Sequence, residues 1–140
     1  SFADCEYLEK INFPGALELI EEEAFLRCRS LTYLTITAET IGERSFAECS
    51  SINTIILADT VRTLKAQAFF TCSSLKDIVI PSTVTTIEKK VLSWCQQIDH
   101  IYTEEANVDR LHDMLAATDN IYPTVDQLLP HITALNSNGK

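Results

Sequence analysis

The sequence predicts a repeat solenoid with a parallel β-sheet on one face and a short C-terminal α-helical cap. Cysteine recurs every 21 to 23 residues, and apolar residues recur at fixed distances on both sides of it. Two of these apolar residues in each of the first four copies are two positions apart, which is the side-chain period of a β-strand. Because a unit this short cannot bury its own apolar face, the copies must stack on one another.

The repeat is defined by columns of equivalent residues in five copies. The cysteine column is Cys5, Cys28, Cys49, Cys72 and Cys95. A large apolar column lies three residues earlier, at Phe2, Phe25, Phe46, Phe69 and Leu92. Further apolar columns lie three, six and eight residues after each cysteine, and the last of them ends at the polar Thr103. Agreement of so many columns over five copies places the solenoid at residues 1–103.

The strand of each copy is predicted to point its apolar columns inward and the residues between them outward. The outward pairs are Lys10/Asn12, Tyr33/Thr35, Thr54/Ile56, Asp77/Val79 and His100/Tyr102. From these pairs we expect an apolar binding strip of Tyr33, Ile56, Val79 and Tyr102, flanked by Asp77 and His100 as polar specificity groups. The alternative interpretation is strand propensity alone, because Tyr, Ile, Val and Thr all favour strands.

One stretch of the sequence carries a family resemblance. Residues 69–81, with the letters FFTCSSLKDIVIP, resemble the BspA-type leucine-rich repeat, and the pattern extends over residues 2–103 in about five copies. The resemblance implies a right-handed leucine-rich-repeat coil that binds proteins and is displayed at a cell surface or secreted, where it engages host molecules. This chain departs from the pattern in a shorter second copy and in Val91-Leu92 of the last copy.

The repeat period fails after Thr103, where a helix is expected. Thr103 is the predicted N-cap, and the helix spans about residues 105–117. Its apolar stripe, expected to cover the last coil, is Val108, Leu111, Met114 and Leu115. This gives a capping helix and turn at 104–122, then a short helical turn and tail at 123–140. Thr124 and Gln127 form a predicted capping box, and residues 136–140 a frayed tail.

Composition restricts the classes of partner. The chain of 140 residues has 11 Lys and Arg against 20 Asp and Glu, a net charge of -9. This charge disfavours nucleic acid and anionic membranes and favours a basic or neutral protein ligand. The longest apolar run, residues 55–58, is far shorter than the ~20 residues that span a bilayer. The array starts in mid-repeat, so either further repeats or domains lie upstream of Ser1 or the chain leaves this edge uncovered.

The cysteines are predicted to form a ladder of buried, reduced thiols. They lack the clustered spacing of zinc ligands, and an odd number argues against complete pairing. The alternatives are a disulfide between adjacent coils or a metal site. No cofactor and no metal are predicted. Unpaired cysteines suit the cytosol, yet buried thiols also survive oxidising surroundings, so the compartment stays open.

The sequence offers no motif for catalysis. His100, His112 and His131 lie in different columns and elements, and the three glycines form no phosphate-binding loop. The leading hypothesis is therefore a non-enzymatic protein-interaction module. One alternative is a structural spacer within a longer repeat protein. A more remote alternative is a hydrolase or a thiol redox enzyme.

Overall fold

A computed structural model describes residues 1–15 and 17–135. The strands in chain order are β1 (Leu19–Ile20), β2 (Tyr33–Ile36), β3 (Thr40–Ile41), β4 (Thr54–Leu57), β5 (Thr63–Leu64), β6 (Asp77–Val79), β7 (Thr86–Ile87), β8 (His100–Glu104) and β9 (Ile132–Leu135). They form a five-stranded sheet, β2-β4-β6-β8-β9, and a four-stranded sheet, β1-β3-β5-β7. Every pairing is parallel, which confirms the predicted solenoid.

A third set of backbone hydrogen bonds joins the coils on the side of the turns. Phe25 N donates to Ser45 O at 2.8 Å, and Phe46 N donates to Ala68 O at 2.9 Å. Each of these turns also holds two non-glycine residues with positive φ, at Glu23 and Arg27, Arg44 and Glu48, Gln67 and Thr71, and Lys90 and Trp94. Successive coils are therefore bonded on three sides, although only two of the sides are β-sheets.

The core lies between the two sheets and the turns. The inward columns are buried, and the phenylalanine rings stack along the solenoid axis. Ring centroids are 5.4 Å apart for Phe2 and Phe25, 5.2 Å for Phe25 and Phe46, and 5.9 Å for Phe46 and Phe69. Aromatic stacking of this kind adds to the area that each ring buries. Phe2, at the N-terminal end of the stack, remains 54% exposed.

The first copy does not form the strand that was predicted for it. Residues 8–14 contain no strand, so Lys10 and Asn12 lie outside the sheet and β2 is its edge. Among the described residues, this copy has a neighbouring coil on only one side. One-sided pairing does not by itself prevent a strand, since β1 of the same copy pairs with β3. The inward residues Leu8, Ile11 and Phe13 are only partly buried, so less packing supports this segment than supports an interior strand.

The helical cap is present, but the prediction that Thr103 is its N-cap is wrong. Thr103 is a fully buried residue of β8, since it continues an inward column and a β-branched residue suits a strand. A 3-10 turn, Glu105–Asn107, leads into α1 (Val108–Ala116), with Asn107 at the N-cap. Leu111 and Leu115 of α1 are fully buried, and the helix packs on β7, β8 and β9.

The chain beyond α1 is more ordered than a helical turn and tail. The short helix α2 (Val125–Leu128) begins with the predicted capping box of Thr124 and Gln127. Strand β9 then pairs with β8, which corrects the expectation of a tail for residues 132–135. Strand β9 is therefore the fifth strand of the larger sheet, although the repeat pattern is absent from its sequence. The predicted frayed tail, residues 136–140, lies outside the described residues.

Residues 118–122 continue the ladder of turns for one further step. Lys90 N donates to Thr118 O at 2.5 Å, and Leu92 N donates to Asn120 Oδ1 at 3.3 Å. Trp94 N donates to Tyr122 O at 2.6 Å. Residues 118–122 therefore accept the hydrogen bonds that the backbone N–H groups of the fifth copy's turn donate, although their sequence no longer follows the repeat.

Candidate functional site

The outward side chains of the five-stranded sheet form two parallel rows. We call one the polar row; the strand register aligns its members, which are Tyr33, Thr54, Asp77 and His100. We call the other the apolar row, and its members are Thr35, Ile56, Val79, Tyr102 and Thr133. The apolar row takes one residue from each of the five strands, and the polar row takes one from each of β2, β4, β6 and β8. The sheet thus holds these side chains at fixed spacing.

The predicted binding strip is divided between these rows. Ile56, Val79 and Tyr102 are directly aligned, whereas Tyr33 stands opposite Thr54 in the polar row. The Thr35 hydroxyl donates to the phenolic oxygen of Tyr33 at 3.2 Å. The Tyr33 side chain therefore leans along its strand toward the apolar row, and it is 51% exposed.

Asp77, His100 and Tyr102 form one connected group on this face. His100 Nδ1 lies 2.9 Å from Asp77 Oδ1, and the His100 ring stacks on Tyr102 with centroids 5.0 Å apart. The side chains of His100 and Asp77 remain 45% and 40% exposed. The imidazole thus links the two rows and fixes the Tyr102 ring, while its Nε2 is the atom left for a further hydrogen bond.

The electrostatic character of the face is acidic. Asp77 and Glu104 point outward from β6 and β8, and the five strands, all described, carry no lysine or arginine. Lys76 precedes β6 at the margin of the sheet, beside a polar hollow of about 430 Å³ that Asp77 and Asn53 also line. Cationic groups on a ligand therefore meet carboxylates on the face itself.

The cysteine column forms a line of free thiols. Cys28, Cys49, Cys72 and Cys95 are buried, and each Sγ donates to the carbonyl of the phenylalanine one coil earlier, at 3.0 to 3.3 Å. Cys5 is only partly buried, contrary to expectation, because its coil lies at the N-terminal end of the stack. Within residues 1–15 and 17–135, no three metal-ligating side chains cluster.

The surroundings of Cys28, Cys49 and Cys72 keep their thiols protonated. Burial raises the pKa of Cys49 to about 12 and also raises the pKa of Cys28. The neighbouring Cys95 thiol and burial together raise the pKa of Cys72 well above its usual range. Since the thiolate is the reactive form, these three cysteines are inert fillers of the core.

Sequence reasoning missed an exposed aromatic pair on the side of the turns. The rings of Trp94 and Tyr122 stack with centroids 5.8 Å apart, and they are 38% and 49% exposed. The sequence did offer a signal for the exposure of Trp94, which directly precedes a cysteine. The equivalent position in other copies is charged, as at Arg27 and Glu48, and this indicates a column that faces solvent. Tyr122 carries no such signal because it lies beyond the repeats.

Two parallel sheets, a stack of turns and a helical end define this chain as a capped solenoid repeat protein. The chain belongs to the family described as the BspA type leucine rich repeat region, whose model matches residues 1–117 in 6 copies. Five copies over residues 2–103 were predicted from the sequence, so the match has one copy more and ends at residue 117, beyond the predicted array. No curated protein matches the chain.

A solved structure with a similar fold is the pneumococcal vaccine antigen PcpA. The TM-score is 0.64 at 20% sequence identity, and the match covers 87% of this chain. The chain spans 31% of the length of that protein. At this identity the similarity concerns the fold. As for the membrane, no helix within the described part of the chain is both long enough and apolar enough to cross it.

Proposed function

We propose that this chain is a non-enzymatic interaction module that binds a protein ligand through the face of its five-stranded sheet. The main support is the apolar row, in which Ile56, Val79 and Tyr102 stand partly exposed on three consecutive strands. Strand pairing has already restricted these side chains. Binding therefore costs little further conformational entropy.

The chemistry of the row suits protein recognition. Tyr102 is held by the His100 ring, and Tyr33 by its hydrogen bond with Thr35. Tyrosine is enriched among the residues that dominate interface energies, because it buries a large ring and retains a polar tip. Asp77 and His100 flank the apolar row and supply polar specificity.

A protein scaffold is favoured over an enzyme by the family and by the protonated thiols. Leucine-rich-repeat solenoids typically serve as non-enzymatic binding scaffolds. Cys49, whose pKa burial raises to about 12, is unsuited to thiol redox chemistry at neutral pH. Surface display or secretion, with a host protein as ligand, is the setting that the family and the similarity to a vaccine antigen favour.

The test is the double variant Tyr33→Ala/Tyr102→Ala, assayed by surface plasmon resonance against a protein retrieved with the wild-type chain. Both side chains point outward, so the circular dichroism spectrum should be unchanged while affinity falls at least tenfold. Tyr7→Ala is the matched control, because Tyr7 is 89% exposed and lies in the first coil. Unchanged affinity in the folded double variant would favour the spacer hypothesis instead.

A further inference from the structure

We infer that the ligand presents to the sheet face an amphipathic α-helix with basic residues beside its apolar stripe, lying across the strands along the apolar row. This inference rests on the proposed function and specifies the partner. The observations that support it are the spacing of the apolar row and the sign of the charges on its two sides.

The spacing of the row matches a helix better than an extended peptide. Ile56, Val79 and Tyr102 stand on neighbouring strands, so the row spans about 9.6 Å at ~4.8 Å per strand. Residues i and i+7 of a helix are about 10.5 Å apart, with an intermediate apolar residue at i+3 or i+4. Same-face residues of an extended peptide repeat every ~6.7 Å, which gives about 13.4 Å over two repeats. A helical stripe therefore meets all three side chains.

The width of the face also suits a helix. The polar row runs parallel to the apolar row, two residues earlier on each strand, which is a distance of about 6.7 Å. A helix is about 10–12 Å across with its side chains, so one that sits on the apolar row reaches about 5–6 Å toward the polar row and brings its flank close to the side chains there. Asp77 thereby faces one flank of the helix.

A carboxylate stands on each side of the apolar row. Asp77 lies in the polar row, and Glu104 points outward from β8 two residues beyond Tyr102. Glu104 Oε2 accepts a hydrogen bond from Ser82 N at 2.9 Å, which leaves Oε1 as the acceptor for a ligand. Asp77 Oδ1 is engaged by His100, which leaves Oδ2 as the acceptor for a lysine or arginine. Lysine or arginine residues on both flanks of the apolar stripe would thus be complementary, whereas acidic flanks would be repelled.

Two display libraries test the inference, one presenting randomised positions on a helical scaffold and the other on an extended scaffold. Both are selected against the whole chain at the same concentration. We expect the enriched clones to come from the helical library and to carry Lys or Arg beside an apolar stripe. Their affinity should fall at least tenfold against Tyr102→Ala and stay within twofold against Tyr7→Ala.

The outcomes separate this inference from the proposed function. Enrichment of extended peptides, or of acidic helices, that are still weakened by Tyr102→Ala overturns the helical partner and leaves the sheet face as the binding surface. Clones indifferent to Tyr102→Ala, or no clones from either library, overturn both. Amide shifts in an NMR titration with a selected helix should be centred on β4, β6 and β8.

Discussion

The imidazole of His100 and the carboxylate of Asp77 join two neighbouring strands, with Nδ1 and Oδ1 2.9 Å apart. The same imidazole stacks on Tyr102 of its own strand. One histidine thus connects the polar row to the apolar row, so a change at Asp77 or His100 also alters the support of the Tyr102 ring in the proposed binding face.

The first prediction concerns the charge of Asp77. Asp77→Asn keeps the shape of the side chain and removes one negative charge from the face. We expect slower association with a basic ligand and a weaker dependence of the association rate on salt, because electrostatic attraction acts mainly on the encounter. Stopped-flow measurements at low and high salt check this. Asp59→Asn, at an exposed acid elsewhere, should leave the salt dependence unchanged.

The second prediction concerns stability at alkaline pH. Burial raises the pKa of Cys49 from 9.0 to about 12, so between these values the unfolded chain releases a proton that the folded chain retains. The contribution of the Cys49 thiol to the free energy of unfolding is complete below pH 9. It is lost as the pH rises toward 12, by about 1.4 kcal/mol per pH unit.

Urea unfolding between pH 8 and about 10.5 measures this loss, since the window starts below the unfolded-state thiol pKa of 9.0 and ends below the folded-state pKa of about 12. Cys49→Ala should lower the free energy of unfolding at pH 7 by about 1 to 2 kcal/mol through lost packing. Above pH 9 the free energy of unfolding of Cys49→Ala should fall with pH less steeply than that of the wild type. The difference in slope should correspond to about one proton, or about 1.4 kcal/mol per pH unit. Identical slopes for the two proteins would contradict the prediction.

The third prediction concerns the C-terminal cap. Removal of the chain after Thr103 exposes the core of the fifth coil and frees the edge of β8, which now pairs with β9. We expect aggregation or a clearly lower melting temperature. A milder variant, Leu115→Ala, should cost about 2 to 5 kcal/mol, because this side chain is fully buried.

Size-exclusion chromatography and thermal melts report on the cap. Asp113→Ala, on the exposed side of α1, is the control and should change stability little. A truncated chain that remains monomeric and melts with the wild type would show that the solenoid does not depend on its cap.

The fourth prediction concerns Thr71, which adopts a φ of 60° in a turn. A β-branched residue is strained in the left-handed region, and glycine is not. Thr71→Gly should therefore raise the free energy of unfolding by about 0.5 to 1 kcal/mol. This net gain is smaller than the relief of the left-handed strain, because glycine loses more backbone entropy on folding. Ser73→Gly, at a position without positive φ, should lower stability instead; equal effects of the two variants would argue against strain at Thr71.

The repeat made much of the fold predictable because five copies report on the same columns. The inward position of Ile55 and Ile78, and the outward position of Ile56 and Val79, follow from spacing alone. Thr103 was misjudged because its type fits both an N-cap and an inward strand position. The burial of the Thr103 side chain in the last coil favours the strand position.

The candidate site was only partly predictable. The sequence places Ile56, Val79 and Tyr102 on one face, but the lean of Tyr33 toward Thr35 depends on side-chain rotamers. Strand β9, which adds Thr133 to the apolar row, has no periodic signal, since its pairing depends on how α1 and α2 return the chain to β8. Such long-range pairing cannot be read from local spacing.

Three-sided bonding between coils also determines how the molecule opens. Each coil is held by its two neighbours, so the free energy of local opening is lowest where a neighbour is missing. The first coil lacks a strand, and Phe2 leaves its core open to solvent, whereas α1 covers the other end. Fraying of residues 1–140 taken alone should thus advance from the first coil, one coil after another, and the slowest amide exchange should centre on Ile55 and Ile78.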